Sequence, residues 1–150
     1  LSGVEVAWAR LFFLYGPREP QDKLVHSTIR SLDNNKEVVC RSGSLKRDYL
    51  YVEDAATAIV TLLNSNATGV VNVSSGKLTS IRYIVERIGK QLNKEHLIRF
   101  ESAVNSKEAE IVLGDNSKLK ELGWKPVISI EEGINKMISW YKKISDEEIR

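Results

Sequence analysis

Cysteine is nearly absent: Cys40 is the only one in 150 residues, which excludes an internal disulfide and fits a reducing, cytoplasmic setting. Histidine is almost as scarce. His26 and His96 lie far from Cys40 in the chain, so spacing assembles no His/Cys zinc site. No apolar run approaches the roughly 18 residues that a membrane span needs, and the start lacks a basic-then-apolar leader pattern. An excess of one charge is missing too. The 22 Lys and Arg against 20 Asp and Glu leave a formal +2, too little to imply a nucleic-acid or membrane partner. None of the nine glycines stands at G-x-G or G-x-x-G spacing, so neither a dinucleotide fingerprint nor a P-loop is present. No serine or cysteine has the surroundings of a nucleophile elbow, and no internal repeat, low-complexity tract or linker is visible. The chain also begins at Leu1, without a methionine, and is treated from here as a candidate fragment.

What is present reads as one ordinary globular region, 42% hydrophobic and 28% charged. The segment from Val4 to Tyr15 is nearly continuously apolar and stops at Gly16-Pro17, which predicts a strand covered on both faces. A helix is expected from Leu24 to Leu32, ended by Asn34-Asn35. Strands are expected at Val38 to Cys40 and Arg47 to Val52, on either side of a Ser42-Gly43-Ser44 turn. Asp54 is the expected N-cap of a helix whose stripe is Ala55, Ala58, Ile59, Leu62 and Leu63. Gly69 restarts the chain into the buried strand GVVNVSSG, and Ser80 opens an amphipathic helix carrying Ile81, Ile84, Val85, Ile88 and Leu92. Further strands are expected at Leu97 to Phe100 and Ile111 to Leu113, then a short helix stopped by Gly123. Ser129 and Glu132 form a capping box for a last helix with Ile130, Ile134, Met137, Ile138 and Tyr141 inward and a frayed tail, SDEEIR. This order of elements predicts an α/β fold.

Pattern alone marks two arginines. Arg47 opens a strand beside Lys46 and could offer its planar fork to a phosphate, or pair with Asp48 or Asp54, or stay solvated. Arg10 lies inside an apolar strand and, if buried, must be paired. His26, on a helix, and His96 are read as structural or solvated.

Five segments taken together resemble one family. ARLFFLYGP is similar to the R-x-x-N-x-Y-G-P strand of the extended short-chain dehydrogenase/reductases, the nucleotide-sugar epimerases and dehydratases. GSLKRDYLYVEDAATAI resembles their G-x-x-x-R-D-[FYW]-x-[YH]-V-x-D-x-A-x-A motif, and GVVNVSSG their Y-N-[IV]-G-S-G strand. LGDNSKLKELGWKP resembles D-x-S-K-x-x-x-x-L-G-[WY]-x-P, and SIEEGINKMISWY the closing S-[LI]-E-E-G helix.

The resemblance implies that residues 1–150 are a single region. It would be the C-terminal, substrate-binding part of an extended Rossmann-type fold, two returning sheet strands plus a small α/β domain, with an N-terminal NAD(P)-binding domain outside this chain. It implies NAD or NADP as cofactor, a nucleotide-diphosphate sugar as partner, and full-length relatives that commonly form homodimers. Arg47 then matches the arginine that reaches the substrate diphosphate. Lys23 and Leu24 match a P-E-K-L-I-P segment over the nucleotide, and Asn72 a substrate neighbour. Val38 and Cys40 match positions flanking the base, although an apolar core role suits both equally. Tyr15, Gly16 and Pro17 match the turn near the nicotinamide.

Departures from the family pattern are specific. Phe13 stands where the family asparagine is usual. The second phosphate arginine of R-P-x-E has become Asn105, with Lys107 nearby as a substitute charge, and Glu108 is retained as a candidate substrate-binding residue. None of the five tyrosines starts a Tyr-x-x-x-Lys pair, so no catalytic residue is expected in this chain, and alone it should not turn over substrate. A nucleotide-sugar or protein binding module without chemistry, derived from the same family, is the alternative reading.

Overall fold

The computed structural model describes residues 3–101 and 109–148. In chain order the elements are β1 (Ala7–Leu11), β2 (Phe13–Tyr15), α1 (Leu24–Asp33), β3 (Val38–Cys40), β4 (Lys46–Arg47) and β5 (Tyr49–Tyr51). There follow α2 (Val52–Leu63), β6 (Gly69–Val73), β7 (Thr79–Ser80), α3 (Ile81–Leu92), a 3-10 turn (Glu95–Leu97), β8 (Ile98–Phe100), β9 (Ile111–Val112), α4 (Ser117–Glu121) and α5 (Ile130–Glu148). The α/β class follows from parallel strands joined through helices. β1 runs parallel to β6, β2 to β5, and β3 to β8, while β4 lies between antiparallel β7 and parallel β9.

The β2–β5 pair divides the interior. Side chains alternate across a strand, so Tyr15 and Tyr51 face one cluster while Leu50 faces another. The first cluster is helical: Val25, Ile29 and Leu32 of α1, Ile84 and Ile88 of α3, and Ile134, Met137, Ile138 and Tyr141 of α5 close over the two tyrosines. The second packs Ala55, Ala58 and Leu62 of α2 and Leu119 of α4 with Trp124 against Val71 and Val73 of β6.

Several expectations change at this level. The opening apolar run is two strands, broken at Phe12, whose amide makes the last bond of the β1 ladder, to the Val73 carbonyl of β6 at 3.1 Å, before β2 turns to pair with β5. β1 is not covered on both faces: Trp8 is 68% exposed, and Val4, Val6, Leu11 and Val70 also face outward. Arg10 is accordingly exposed, with only a long 3.5 Å contact to Asn72 Oδ1. The strand expected from Arg47 to Val52 is interrupted at Asp48, and Val52 already belongs to α2.

Asp54 is not the N-cap of α2. It lies in the first turn, buried, and its carboxylate accepts the amides of Val127 (3.2 Å) and Ile128 (2.9 Å), which fastens the entry to α5. The stripe of α2 is narrower than expected, since Leu63 and Ile59 are exposed. At the other end, α5 continues through Glu148 where fraying was expected.

The caps mostly behave as their residue types dictate. Ser80 Oγ accepts the Tyr83 amide at 3.1 Å, and Asn93 closes α3 in the left-handed conformation. Ser129 Oγ accepts the Glu132 amide at 3.1 Å, which is one half of the capping box. Gly123, at φ +84°, ends α4 where a side chain would be strained.

Candidate functional site

A pocket of about 410 Å³ opens beside the β2–β5 pair. Phe12, Phe13, Leu14 and Tyr15 form one wall, Tyr49 a second, and Glu19, Lys23, Leu24 and Val25 a third from the loop and first turn of α1. A second compartment of about 260 Å³ shares Leu14, Tyr15, Glu19 and Lys23 and adds Gly16, Pro17, Arg18 and Val52. The turn between them is tightly specified. Gly16 has φ +152°, and a Cβ there would stand 2.5 Å from Val52 Cγ1, so only glycine fits.

The aromatic wall is stacked. Phe13 meets Tyr49 at 5.9 Å between ring centroids, and Tyr15 meets Tyr49 at 6.3 Å and Tyr51 at 5.4 Å, both edge-on. Burial raises the Tyr15 phenol well above its ordinary value and pushes Tyr49 up to about 12, so both are neutral donors near neutral pH. Tyr15 reaches through the wall to the start of α5. Its hydroxyl lies 3.5 Å from the Ile130 carbonyl, and a Cβ on Gly133 would stand 2.0 Å from Tyr15 Oη. The glycine of the SIEEG segment is therefore the seat of this tyrosine.

Glu19 ties the pocket loop to α1. Its Oε1 accepts the His26 amide at 2.8 Å, capping a helix whose own cap residue, Lys23, offers no side-chain acceptor. Burial pushes the Glu19 carboxyl up to about 7, although the His26 amide and the Lys23 charge oppose the shift. His26 itself is buried edge-on against Trp140 and Tyr141, with Nδ1 unpartnered, and burial lowers its pKa from the ordinary 6.5.

Arg47 lies just behind the pocket, 5% exposed, with its guanidinium carbon 5.6 Å from the centroid of the Phe13 ring. Its Nη1 donates to the carbonyls of Lys46 (3.0 Å), Ala109 (2.8 Å) and Glu110 (3.2 Å). Asp48, fully buried, takes the opposite part. Its carboxylate accepts the Ser75 amide (2.7 Å), the Ser75 hydroxyl (2.6 Å), the Gly76 amide (2.9 Å) and the Gly114 amide (3.1 Å). The Arg-Asp pair thus braces the segment that begins at Ala109 from both ends.

The structure gathers Tyr15, Lys23 and Leu24 around the larger compartment, Gly16 and Pro17 around the smaller one that shares Tyr15 and Lys23 with it, and sets Arg47 against the Phe13 wall. It places three others elsewhere. Asn72, on β6, donates to the Asp115 carbonyl at 2.9 Å, and Val38 and Cys40 pair along β3 with Ile98 and Phe100. Glu108, with Asn105 and Lys107, lies outside the described residues. Sequence reasoning missed Glu19, Tyr49 and the bracing role of Asp48. Asp48 and Tyr49 stand inside a quoted motif and could have been weighed for themselves; no sequence feature marks Glu19 as a pocket wall.

Comparison with known proteins bears on the same architecture. A family model described as GDP-mannose 4,6 dehydratase matches residues 2–137. A UDP-glucuronate 4-epimerase of Thermodesulfobacterium geofontis is 31% identical over 95% of this chain and 45% of its own length. UDP-glucuronic acid decarboxylase 1 of Xenopus tropicalis is 34% identical over 95% of this chain and 34% of its own. The chain thus spans between about a third and a half of the curated relatives it matches. Among solved structures, the UDP-glucuronic acid 4-epimerase of Bacillus cereus, in complex with UDP-glucuronic acid and NAD, superposes with a TM-score of 0.80. It is 26% identical over 91% of this chain and 45% of that one. The UDP-glucose 4-epimerase of Thermotoga maritima, at 23% identity, TM-score 0.86 and coverage of 95% and 48%, shares the fold. Motif order, parallel α/β topology and these matches agree: the chain belongs to the GDP-mannose 4,6-dehydratase family, among the NAD-dependent nucleotide-sugar epimerases and dehydratases of the extended short-chain dehydrogenase/reductases.

Proposed function

We propose that this chain is the substrate-clamping part of an NAD-dependent nucleotide-sugar epimerase, dehydratase or reductase. The carrying observation is the cavity of about 410 Å³ to which Tyr15, Lys23 and Leu24 contribute, with Arg47 against its Phe13 wall. In this reading the aromatic wall of Phe13, Tyr15 and Tyr49 packs an apolar face of the glycosyl group, and Lys23 and Arg47 supply charge to the diphosphate. Asp48 and Arg47 keep the segment from Ala109 in place against it.

The residues present fit only one end of a dinucleotide. Tyr15, Gly16 and Pro17 line the smaller compartment of about 260 Å³, while the sequence has no glycine-rich phosphate turn. When bound, NAD accepts and returns a hydride. This chain's part is to hold the sugar next to that compartment and keep water from it. The acid/base Tyr-x-x-x-Lys pair belongs upstream in this reading, so the chain by itself binds without turnover. The edge of β1 away from β6 is then where the remaining strands of the Rossmann sheet add, and helices of the upstream part cover the exposed outer face. A cytoplasmic location suits the buried, unpaired thiol of Cys40.

Two measurements test this. Reading the coding sequence upstream of Leu1 should reveal a glycine-rich βα turn and a Tyr-x-x-x-Lys pair. Calorimetric titration of the full-length protein with UDP-, CDP-, dTDP- and GDP-sugars should show saturable binding. Arg47→Lys, chosen because alanine would also strip the Ala109 and Glu110 carbonyls, should weaken it by roughly 1.5–3 kcal/mol. Unchanged binding would remove Arg47 from the site.

One observation favours binding without chemistry. Phe13 stands where the family asparagine is usual and spends its face on Arg47 instead of a polar contact. Nucleotide-sugar binding in the full-length protein, with no hydride transfer to NAD and no turnover, would select that reading.

A further inference from the structure

Glu19 is the only acid among the described residues that line either compartment, and it lines both. Its position is fixed by a turn, in which its own amide donates to the Gly16 carbonyl at 3.2 Å, and by the Oε1 bond to the His26 amide. No polar partner within the described residues holds Oε2. A carboxylate has capacity for more than one donor, so Glu19 brings a free acceptor to a wall that, Lys23 apart, is made of aromatic and aliphatic side chains. Among the described residues Lys23 is the one cation shared by both compartments, and Arg18 lines only the smaller.

We propose that Glu19 sets the charge selectivity of the pocket, admitting glycosyl groups whose ring substituents are uncharged and excluding hexuronates. The inference rests on the nucleotide-sugar reading above and deepens it. A neutral hexosyl group can donate a hydroxyl to the open oxygen of Glu19. A hexuronate instead brings a second carboxylate into a low-dielectric wall, beside one that burial already disfavours. Lys23 cannot offset both, because the diphosphate of the same ligand competes for its charge. The relatives include enzymes named for both kinds of sugar, UDP-glucuronate and UDP-glucose among them, so the family fold leaves the choice to such local groups.

Charge, as opposed to shape, predicts a dependence on pH. The titratable and charged groups around Glu19 are Arg18 and Lys23 on its own loop, His26 on α1, Tyr15 on β2 and Tyr49 on β5. Glu19, pushed up to about 7, changes charge between about pH 6 and about pH 8, while burial raises both phenols and lowers His26. Discrimination should therefore be strong at the upper value and weak at the lower.

The test is calorimetric titration of the full-length protein with matched pairs. These are UDP-glucose and UDP-glucuronate, dTDP-glucose and dTDP-glucuronate, and GDP-mannose and GDP-mannuronate, at both pH values, for the wild type and Glu19→Gln. The amide oxygen of glutamine still accepts the His26 amide, so the loop keeps its anchor. The wild type should prefer the neutral sugar about tenfold at pH 8 and less than about threefold at pH 6. Glu19→Gln should show the smaller ratio at both. If the variant does not fold, the wild-type pH series decides alone. Equal affinities at pH 8, a uronate preference, or a ratio unmoved by pH overturns the role of Glu19 and leaves the nucleotide-sugar reading standing. Binding of neither member of any pair overturns that reading, and this inference with it.

Discussion

The two sides of the β2–β5 pair are built from equally apolar sequence and end in different states. On the helical side, α1, α3 and α5 close over Tyr15 and Tyr51, and Ile29, Leu32, Ile84, Ile88, Ile134 and Met137 are wholly buried. On the sheet side, Val71 and Val73 are buried by α2, α4 and Trp124, but the opposite face of the same strands shows Trp8 and Val70 to solvent. Every layer that the helical side needs is within the described residues. For the outer face of β1 and β6 no covering layer is. An apolar run signals a capacity to be buried, and burial itself requires a partner surface.

The largest effect that could break this contrast is expected at Asp48, which ties the segment after β6 to the segment after β9. Asp48→Ala leaves the Ser75, Gly76 and Gly114 amides without an acceptor in the interior and should cost roughly 3–5 kcal/mol in urea unfolding. A loss under about 1 kcal/mol would mean that water replaces the carboxylate. Next comes Gly133→Ala. In an open helix this change stabilises by about 0.5–1 kcal/mol, but here the new Cβ meets Tyr15 Oη, and a net loss of roughly 1–3 kcal/mol is expected. Thermal unfolding that shows a gain instead would show that Tyr15 moves freely, and that the helical side is looser than described.

A smaller effect concerns pH. The His26 pKa lies below its ordinary 6.5 in the folded chain because burial disfavours the charged ring. The unfolded chain therefore binds this proton first as pH falls, and the His26 contribution to stability should decline from about 6.5 downward, opposed by Glu19, whose folded carboxyl, pushed up to about 7, takes its proton before the unfolded one does. His26→Phe should remove that part of the decline in a pH series of denaturation midpoints; an unchanged slope would assign it to other groups. The smallest effect is expected on the open side. Trp8→Lys should alter stability by less than about 0.5 kcal/mol, since the side chain gives up little burial, while sedimentation should show less self-association at high concentration. A large loss of stability would mean that this face is already covered in solution.

Legibility in the sequence followed the range of the interactions. The extents of α1 and α3, the Ser80 cap and the Gly123 stop depend on neighbours within a few positions, and each was readable there. Asp54 was misread because its residue type and place before an apolar stripe suit an N-cap, whereas its partners, Val127 and Ile128, lie over seventy positions away. The five motifs disclosed the family, since their order survives in the linear text. They disclosed only part of the pocket: Tyr15, Lys23 and Leu24 were marked, but Glu19 and Tyr49 were not.

By itself, then, the sequence determined the α/β class, most helix boundaries, the lack of a glycine-rich phosphate turn and the family. All of these are written in periodicity, caps and motif order. Only the tertiary structure decided that one apolar strand would split at Phe12, that Asp48 would gather four donors, and that Glu19 would stand half-buried as the only acid among the described residues of the pocket wall. Burial and hydrogen-bond partners are set by which distant segments meet, and a linear pattern of residue types does not specify that meeting.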